Sequence, residues 1–444
     1  MKKGCWIHPS GAIPVIAVLL LFTSNAAIGG GIINKQNLSS DYMRTLNRNA
    51  ATDYADIATY NPAGIVKMEE GFYAKLDVKY YEKDYINSVP GYGTLENDEP
   101  SLVPALYSVY RKKRWGGFFA FNVPAGGGGL TFPDGNARTV ALATGVADAF
   151  NDTMAAFGVP SIYFYDQIDA GRLEVKESSV LGYTLGVSYA ISDAWSVAVG
   201  TRFSSGTREF DGVASISATH ALRVGGEQLN SPQTLSVHLE EESSGWAGIL
   251  GVNFAANEKL NIALTFVSNT QMDYEMDVKQ DTTLPDGSSL AEAIGFPDGS
   301  KQRIDIPGLL AFGLSYHFTP ELKVDTNVTY YLEKDAEIDT FDNEGNSWDL
   351  GVSAEYRFNP AWMASLGYLH TKTELADDQQ ILEPEEPKLD SDSYAGGFVW
   401  SANKDLDVTL GIVLSTYDPI TDSAGIEYDK WVTSVSAGVQ YRFF

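Results

Sequence analysis

Four of the five histidines, His220, His238, His317 and His370, lie beyond residue 30, and none is spaced to bring two ring nitrogens onto one metal ion. No Gly-x-Ser-x-Gly turn occurs to present a serine nucleophile. The chain therefore reads as a non-enzyme without metal or cofactor. The residues that do form patterns suit binding. Leu142, Val146, Phe150, Met154 and Phe157 recur at spacings of three and four, one apolar stripe of a helix. With the apolar residues of 290–296 they would make a greasy groove, or else pack a loop onto its support. A buried methylene contributes ~0.8 kcal/mol, so a chain of about sixteen carbons gains on the order of 10 kcal/mol before entropy costs. Arg202 alternates with Val197 and Phe203 on the polar side of its segment. It is the candidate donor to a ligand carboxylate, the alternatives being a protein acid or an uncharged ligand that needs no cation.

These residues need a scaffold, and the ends of the chain say where it sits. Lys2 and Lys3, a short apolar run from Ile13 to Phe22, and small residues at Ser24, Ala26 and Ala27 form a secretory signal peptide, taken as residues 1–27. Ten apolar residues cannot cross a bilayer core of about 30 Å as a helix. The single cysteine, Cys5, lies before that run, so no disulfide or thiolate metal site is expected after it. A net charge of −27 argues against nucleic acid as a partner.

Beyond the leader the signal is alternation with a period of two. Leu406, Val408, Leu410, Ile412 and Leu414 face one way, and Asp407, Thr409, Gly411, Val413 and Ser415 the other. Fourteen such segments occur, at 72–85, 101–111, 115–123, 172–190, 195–209, 233–254, 260–276, 303–317, 322–333, 348–358, 362–372, 392–402, 406–417 and 429–443. Short links alternate with long ones, the longest being 124–171 and 277–302. Backbone in hydrocarbon must pair within the protein, and strands manage this only in a closed sheet. The fold class expected is all-β, a 14-stranded antiparallel transmembrane barrel at 71–444 with short periplasmic turns and long extracellular loops. Aromatic residues near strand ends, Trp195, Trp362, Tyr417 and Trp431, would form interfacial girdles. Leu410 should face lipid and Thr409 the lumen, so arginine should cost far less at Thr409. One loop crowds Asp377, Asp378, Glu383, Glu385, Glu386 and Asp390, a solvated surface or one that gathers cations.

Residues 28–70 do not alternate. They hold Asp41, Arg44, Arg48, Asp53 and Asp56, then Asn61-Pro62-Ala63-Gly64, where Asn61 must be extended, Pro62 fixes φ and Gly64 permits a reversal. This stretch can fold into the barrel as a plug or hatch. Together with the leader and fourteen strands, the motif from Asp56 to Ile65 resembles the FadL family of outer-membrane long-chain fatty acid and aromatic hydrocarbon transporters. Ile306-Pro307-Gly308 before Phe312-Gly313-Leu314 and Leu350-Gly351-Val352 through Leu366-Gly367-Tyr368 add to the resemblance. It implies a monomer taking up fatty acids, aromatics or alkanes by passive, ligand-gated diffusion. It also implies gating through Asn61, Pro62, Ala63 and Gly64, a hydrophobic groove among the loops, a second binding site deeper inside, and lateral exit at a kinked third strand. Kink candidates are Gly116, Gly117 and Pro124. Expected partners are the ligand, outer-membrane lipid and lipopolysaccharide, and the barrel assembly machinery. A barrel lipase or protease and an open porin remain the rival classes.

Overall fold

The computed structural model describes residues 39–444 except 98–99, 127, 285–286, 340–344, 376–379 and 382–383. The signal peptide, residues 28–38 and the acids Asp377, Asp378 and Glu383 lie outside the described residues.

Fourteen antiparallel strands close into a barrel. They are β1 (Gly71–Val89), β2 (Ser101–Lys112), β3 (Trp115–Gly126), β4 (Gln167–Ala190), β5 (Trp195–Ser217), β6 (Gln233–Ala255) and β7 (Leu260–Val267, continued by Asp273–Asp281). Then follow β8 (Gly308–His317), β9 (Leu322–Leu332), β10 (Trp348–Asn359), β11 (Trp362–Lys372), β12 (Ser391–Asn403), β13 (Leu406–Tyr417) and β14 (Glu427–Arg442). Each pairs with its neighbour in the chain, and β14 returns to β1 from Tyr73↔Arg442 to Ser88↔Glu427. Each of the fourteen thus has a neighbour on both sides, and the ring has no terminal strand.

The alternation read from the sequence is the alternation of faces. Leu410 is 53% exposed and Thr409 1%. Among the described residues no helix is long and apolar enough to cross a membrane; exposed apolar strand residues such as Leu410, Ile412 and Leu414 make an apolar belt. At the short-turn end aromatic pairs ring that belt, Trp195 with Phe254 at 4.4 Å, Trp115 with Tyr189 at 4.6 Å and Trp362 with Trp400 at 6.2 Å. Tyr417 belongs elsewhere. It turns inward, its ring 4.5 Å from Lys430 Nζ, so it is no girdle residue.

Strands β4, β5 and β6 run for 24, 23 and 23 residues. At ~3.3 Å per residue that is over 70 Å of chain, far more than a tilted span of about eleven residues uses. Their outer halves form a wall beyond the bilayer, of which only 167–171 and 210–217 fall in loops expected from the sequence. Helix α3 (Ala137–Ala156) lies against that wall, its start fixed by a capping box between Asn136 and Thr139.

Two interruptions matter. The β2–β3 ladder stops at Leu106↔Phe121, and β3 slips register against β4 between Asn122 and Ala125. Pro124 has no N–H to give the ladder, which accounts for the break. Gly116 and Gly117 sit in unbroken register and are not the kink. At Gly116 a Cβ would come within 2.7 Å of Ile65, so its lack of a side chain serves close packing. The second interruption splits β7, whose residues 268–272 bulge so that Gly245 lies under the backbone of Gln271.

Candidate functional site

Residues 39–68 make their contacts with inward-facing positions of strands around the whole ring, and most of them are buried. Regular structure there is slight, with α1 (Ser40–Met43), α2 (Ile57–Tyr60) and a 3-10 helix at Pro62–Lys67. Charge supplies the order that helices do not. Arg44 meets Asp41 at 2.9 Å and Glu355 of β10 at 2.7 Å. Arg48 meets Asp53 at 2.6 Å and Asp56 at 2.7 Å. Lys75 of β1 reaches Asp41 at 2.7 Å, and Lys323 of β9 reaches Glu355 at 2.6 Å. Burial pushes the Asp41 carboxyl up, but Lys75, Arg44 and Arg48 outweigh it and hold it down at about 2. Small wall residues make room: a Cβ on Gly367 would lie 2.0 Å from Thr45 O.

The Asn-Pro-Ala-Gly motif is wholly inside. Asn61 donates to Ala51 O at 2.9 Å and to Asn253 Oδ1 on β6 at 2.8 Å, and Ser196 of β5 donates to Ala63 O at 2.7 Å. Pro62 opens the 3-10 helix, whose φ it presets. Gly64 does not adopt the left-handed conformation a reversal would need. Its role is spatial, since a Cβ there would lie 2.5 Å from Asn61 Nδ2 and 2.8 Å from Ala51 O.

On the long-loop side, the helical stripe and residues 290–296 come together. Leu142 and Val146 pack with Leu290, Ala291, Ile294 and Phe296 over Leu235, Val237 and Leu239 of β6. Leu142, Leu173, Phe210, Val237, Leu239 and Phe296 line a narrow cleft of about 70 Å³. Arg138 and Glu385, 3.0 Å apart, stand at its rim. Phe150 and Met154 join a neighbouring cluster with Tyr165 and Ile216, and Phe157 is 79% exposed and joins neither. The face that α3 buries deepest is instead Val140, Ala143 and Ala147, small residues that let the helix approach the wall closely.

Apolar clusters continue inward from the cleft. Phe210 and Leu173 join it to Leu130, Phe132 and Val175. Ala125 of β3 packs with Val180, Met272, Tyr274, Ile304 and Ile306. Val123, beside Pro124, packs with Val103, Leu46 and Met43. The chain from Val123 to Phe132 thus touches three successive clusters on its way from residues 39–68 to the cleft.

Arg202 faces inward as expected. Its bond is a 3.5 Å contact to Thr270 Oγ1, its Nε has no protein partner, and among the described residues no carboxylate lies within 4.0 Å. The pairing with a protein acid left open by the sequence does not occur. What spacing could not reveal is a cross-strand group, Glu209, His238 and Glu240, on the outer face of β5 and β6. Lys176 holds Glu209 at 2.8 Å and Lys279 holds Glu240 at 3.3 Å, so these carboxylates already have cations.

No protein-family model and no curated protein matches the sequence. Solved structures do. A FadL homologue from Pseudomonas aeruginosa is 12% identical over 92% of this chain and 99% of its own, with a TM-score of 0.63. The toluene transporter TbuX of Ralstonia pickettii is 13% identical over 94% of this chain and 100% of its own, with a TM-score of 0.59. The toluene transporter TodX of P. putida is 13% identical over 94% and 98%, with a TM-score of 0.58. This chain has the fold of those structures, two of which are toluene transporters.

Proposed function

We propose that the protein is a FadL-type channel of the bacterial outer membrane that takes up hydrophobic molecules, long-chain fatty acids first among them, by passive diffusion. One observation carries the reading: apolar clusters follow one another from the cleft beside α3 to the register break in β3. A ligand would enter between α3 and 290–296, where Leu142 lines the cleft and Val146, Phe150 and Met154 back it. Phe157 would guide from solvent. Arg202 would take a carboxylate on the way. Residues 28–70 would act as the hatch, with Asn61, Pro62, Ala63 and Gly64 as its hinge and latch. The break at Pro124 would open the wall to lipid between β2 and β3. Aromatic or alkane hydrocarbons are the second reading, favoured by the mostly apolar lining of the cleft, whose only charges, Arg138 and Glu385, pair with each other, and by the toluene transporters that share the fold. A self-contained barrel needs no second copy, so a monomer set in lipid and lipopolysaccharide is the expected state.

The test is uptake of oleate and of toluene by cells whose only such channel is this protein. Replacing Asn61 and Pro62 by alanine should impair uptake while leaving a folded barrel, and unchanged uptake would remove the gate. Full-length protein should conduct poorly and protein lacking residues 30–65 well. High conductance in the intact protein would favour an open porin, and hydrolysis of lipid or peptide by refolded protein would favour an enzyme.

A further inference from the structure

The inner face of the barrel beside the β2–β3 break carries a lysine that no group among the described residues hydrogen-bonds. Lys79 of β1 is fully buried, and its amine has no hydrogen-bond partner and no carboxylate within 4.0 Å among the described residues. The nearest acid on the same strand face, Asp77, accepts from Ser40 Oγ at 2.6 Å and pairs with Lys75 at 3.2 Å. Other polar atoms on this face are equally unanswered. Tyr81 Oη, Ser101 Oγ and Tyr107 Oη are buried without partners. Tyr81 stands opposite Ser101, and Val103 opposite Lys79. Around them Val103, Val123 and Tyr81 form an apolar cluster with Met43 and Leu46, against which Leu181 packs.

A buried ammonium without a counter-charge is costly, and a folded chain keeps one where a ligand supplies the missing charge. Here the cation is set in apolar surroundings, the complement of an amphiphile with an anionic head and a hydrocarbon tail. We infer that Lys79 is the anchor for a carboxylate, with Tyr81, Ser101 and Tyr107 as hydroxyl donors to the same head and the tail lying along Val103, Val123 and Leu181 beside the break. This rests on the transport reading above and narrows it to carboxylic acids. It differs from the role given to Arg202, which lies under the β7 bulge near Thr270.

The experiment measures equilibrium binding of oleate and of oleyl alcohol, which share a tail and differ in the head, to purified full-length protein in detergent. Wild type should prefer oleate by about tenfold or more, the size of a charge-assisted hydrogen bond. Lys79→Met should abolish the preference while leaving the alcohol bound, and Lys79→Arg should keep it. Should Lys79→Met lose the heat-modifiable migration of a folded barrel, Lys79→Gln takes its place. Oleate binding unchanged in Lys79→Met, both ligands weakened alike, or a preference lost in Arg202→Gln but kept in Lys79→Met would each overturn the assignment. Wild type binding oleyl alcohol or toluene without preferring oleate would also sink it, yet leave the transport reading standing. Binding of none of the three would end both.

Discussion

Around residues 39–68 the lumen is filled by ionised groups that find one another, Arg44 with Asp41 and Glu355, Arg48 with Asp53 and Asp56. Towards α3 it is filled by Leu142, Val237, Leu239 and Phe296, which meet without one directional bond. The two fillings respond differently to change. An ion pair out of water needs its partner at one place, and removing either member strands a charge. Apolar contacts scale with area and tolerate a shifted or different neighbour. Gating should therefore be concentrated at the charged end, and capture of varied ligands at the apolar end.

The strongest way to break this contrast is at Glu355, which holds both Arg44 and Lys323. Glu355→Ala should cost about 3–5 kcal/mol by removing the carboxylate that both buried cations share, leaving Arg44 with Asp41 alone and Lys323 with the more distant Asp53 and Asp325. In planar bilayers it should raise conductance well above that of the parent, and a closed, unchanged channel would contradict the division. Next comes a pair on β13. Leu410→Arg should cost about 2–4 kcal/mol near mid-membrane, read from urea refolding into vesicles. The sequence alone expects Thr409→Arg to be mild. In the fold Thr409 is buried with its Oγ1 3.4 Å from Asp41, so an arginine there must displace the charge network. It should be as damaging as Leu410→Arg and, unlike it, should make the channel leak. A smaller effect tests the apolar end. Leu142→Ala should weaken oleate binding by about 1–2 kcal/mol, or roughly tenfold, with no change in conductance. The smallest concerns pH. The folded protein holds Asp41 at about 2, below its ordinary value of 3.8, so its contribution is complete above pH about 4 and is lost as pH falls towards 2. Conductance should rise as pH falls from about 4 towards 2, while oleyl alcohol binding at the cleft stays level.

Much of the scaffold was legible because a barrel writes itself into local pattern. Leu410 and Thr409 take opposite faces because strand geometry leaves them no choice. The meeting of Leu142 with residues 290–296 was also legible, as two apolar surfaces without another partner. What escaped the reading depends on contacts distant in sequence. Gly116 and Gly117 looked like a kink, but a Cβ-free position serves equally for close packing, and Ile65 is what approaches Gly116. The outer end of β5 loses apolar alternation once it leaves the bilayer, so 210–217 passed for a loop. One signal was available and unused. Lys75, Asp77 and Lys79 alternate with Leu76, Val78 and Tyr80 on β1, and charges at every second place of a membrane strand must look inward for something to pair with.

The bonds of residues 39–61 reach strands that the ribosome finishes far apart in time. Ser40 bonds Asp77 on β1, Asn61 bonds Asn253 on β6, Asn49 bonds Thr329 on β9, and the N–H of Ala55 bonds Gln440 on β14. The last of these cannot form until β14 has been made and has met β1. Such long-range closures are paid in chain entropy before they return any stabilisation. Residues 39–61 are thus obliged to wait, their bonds to the wall incomplete until β14 has arrived.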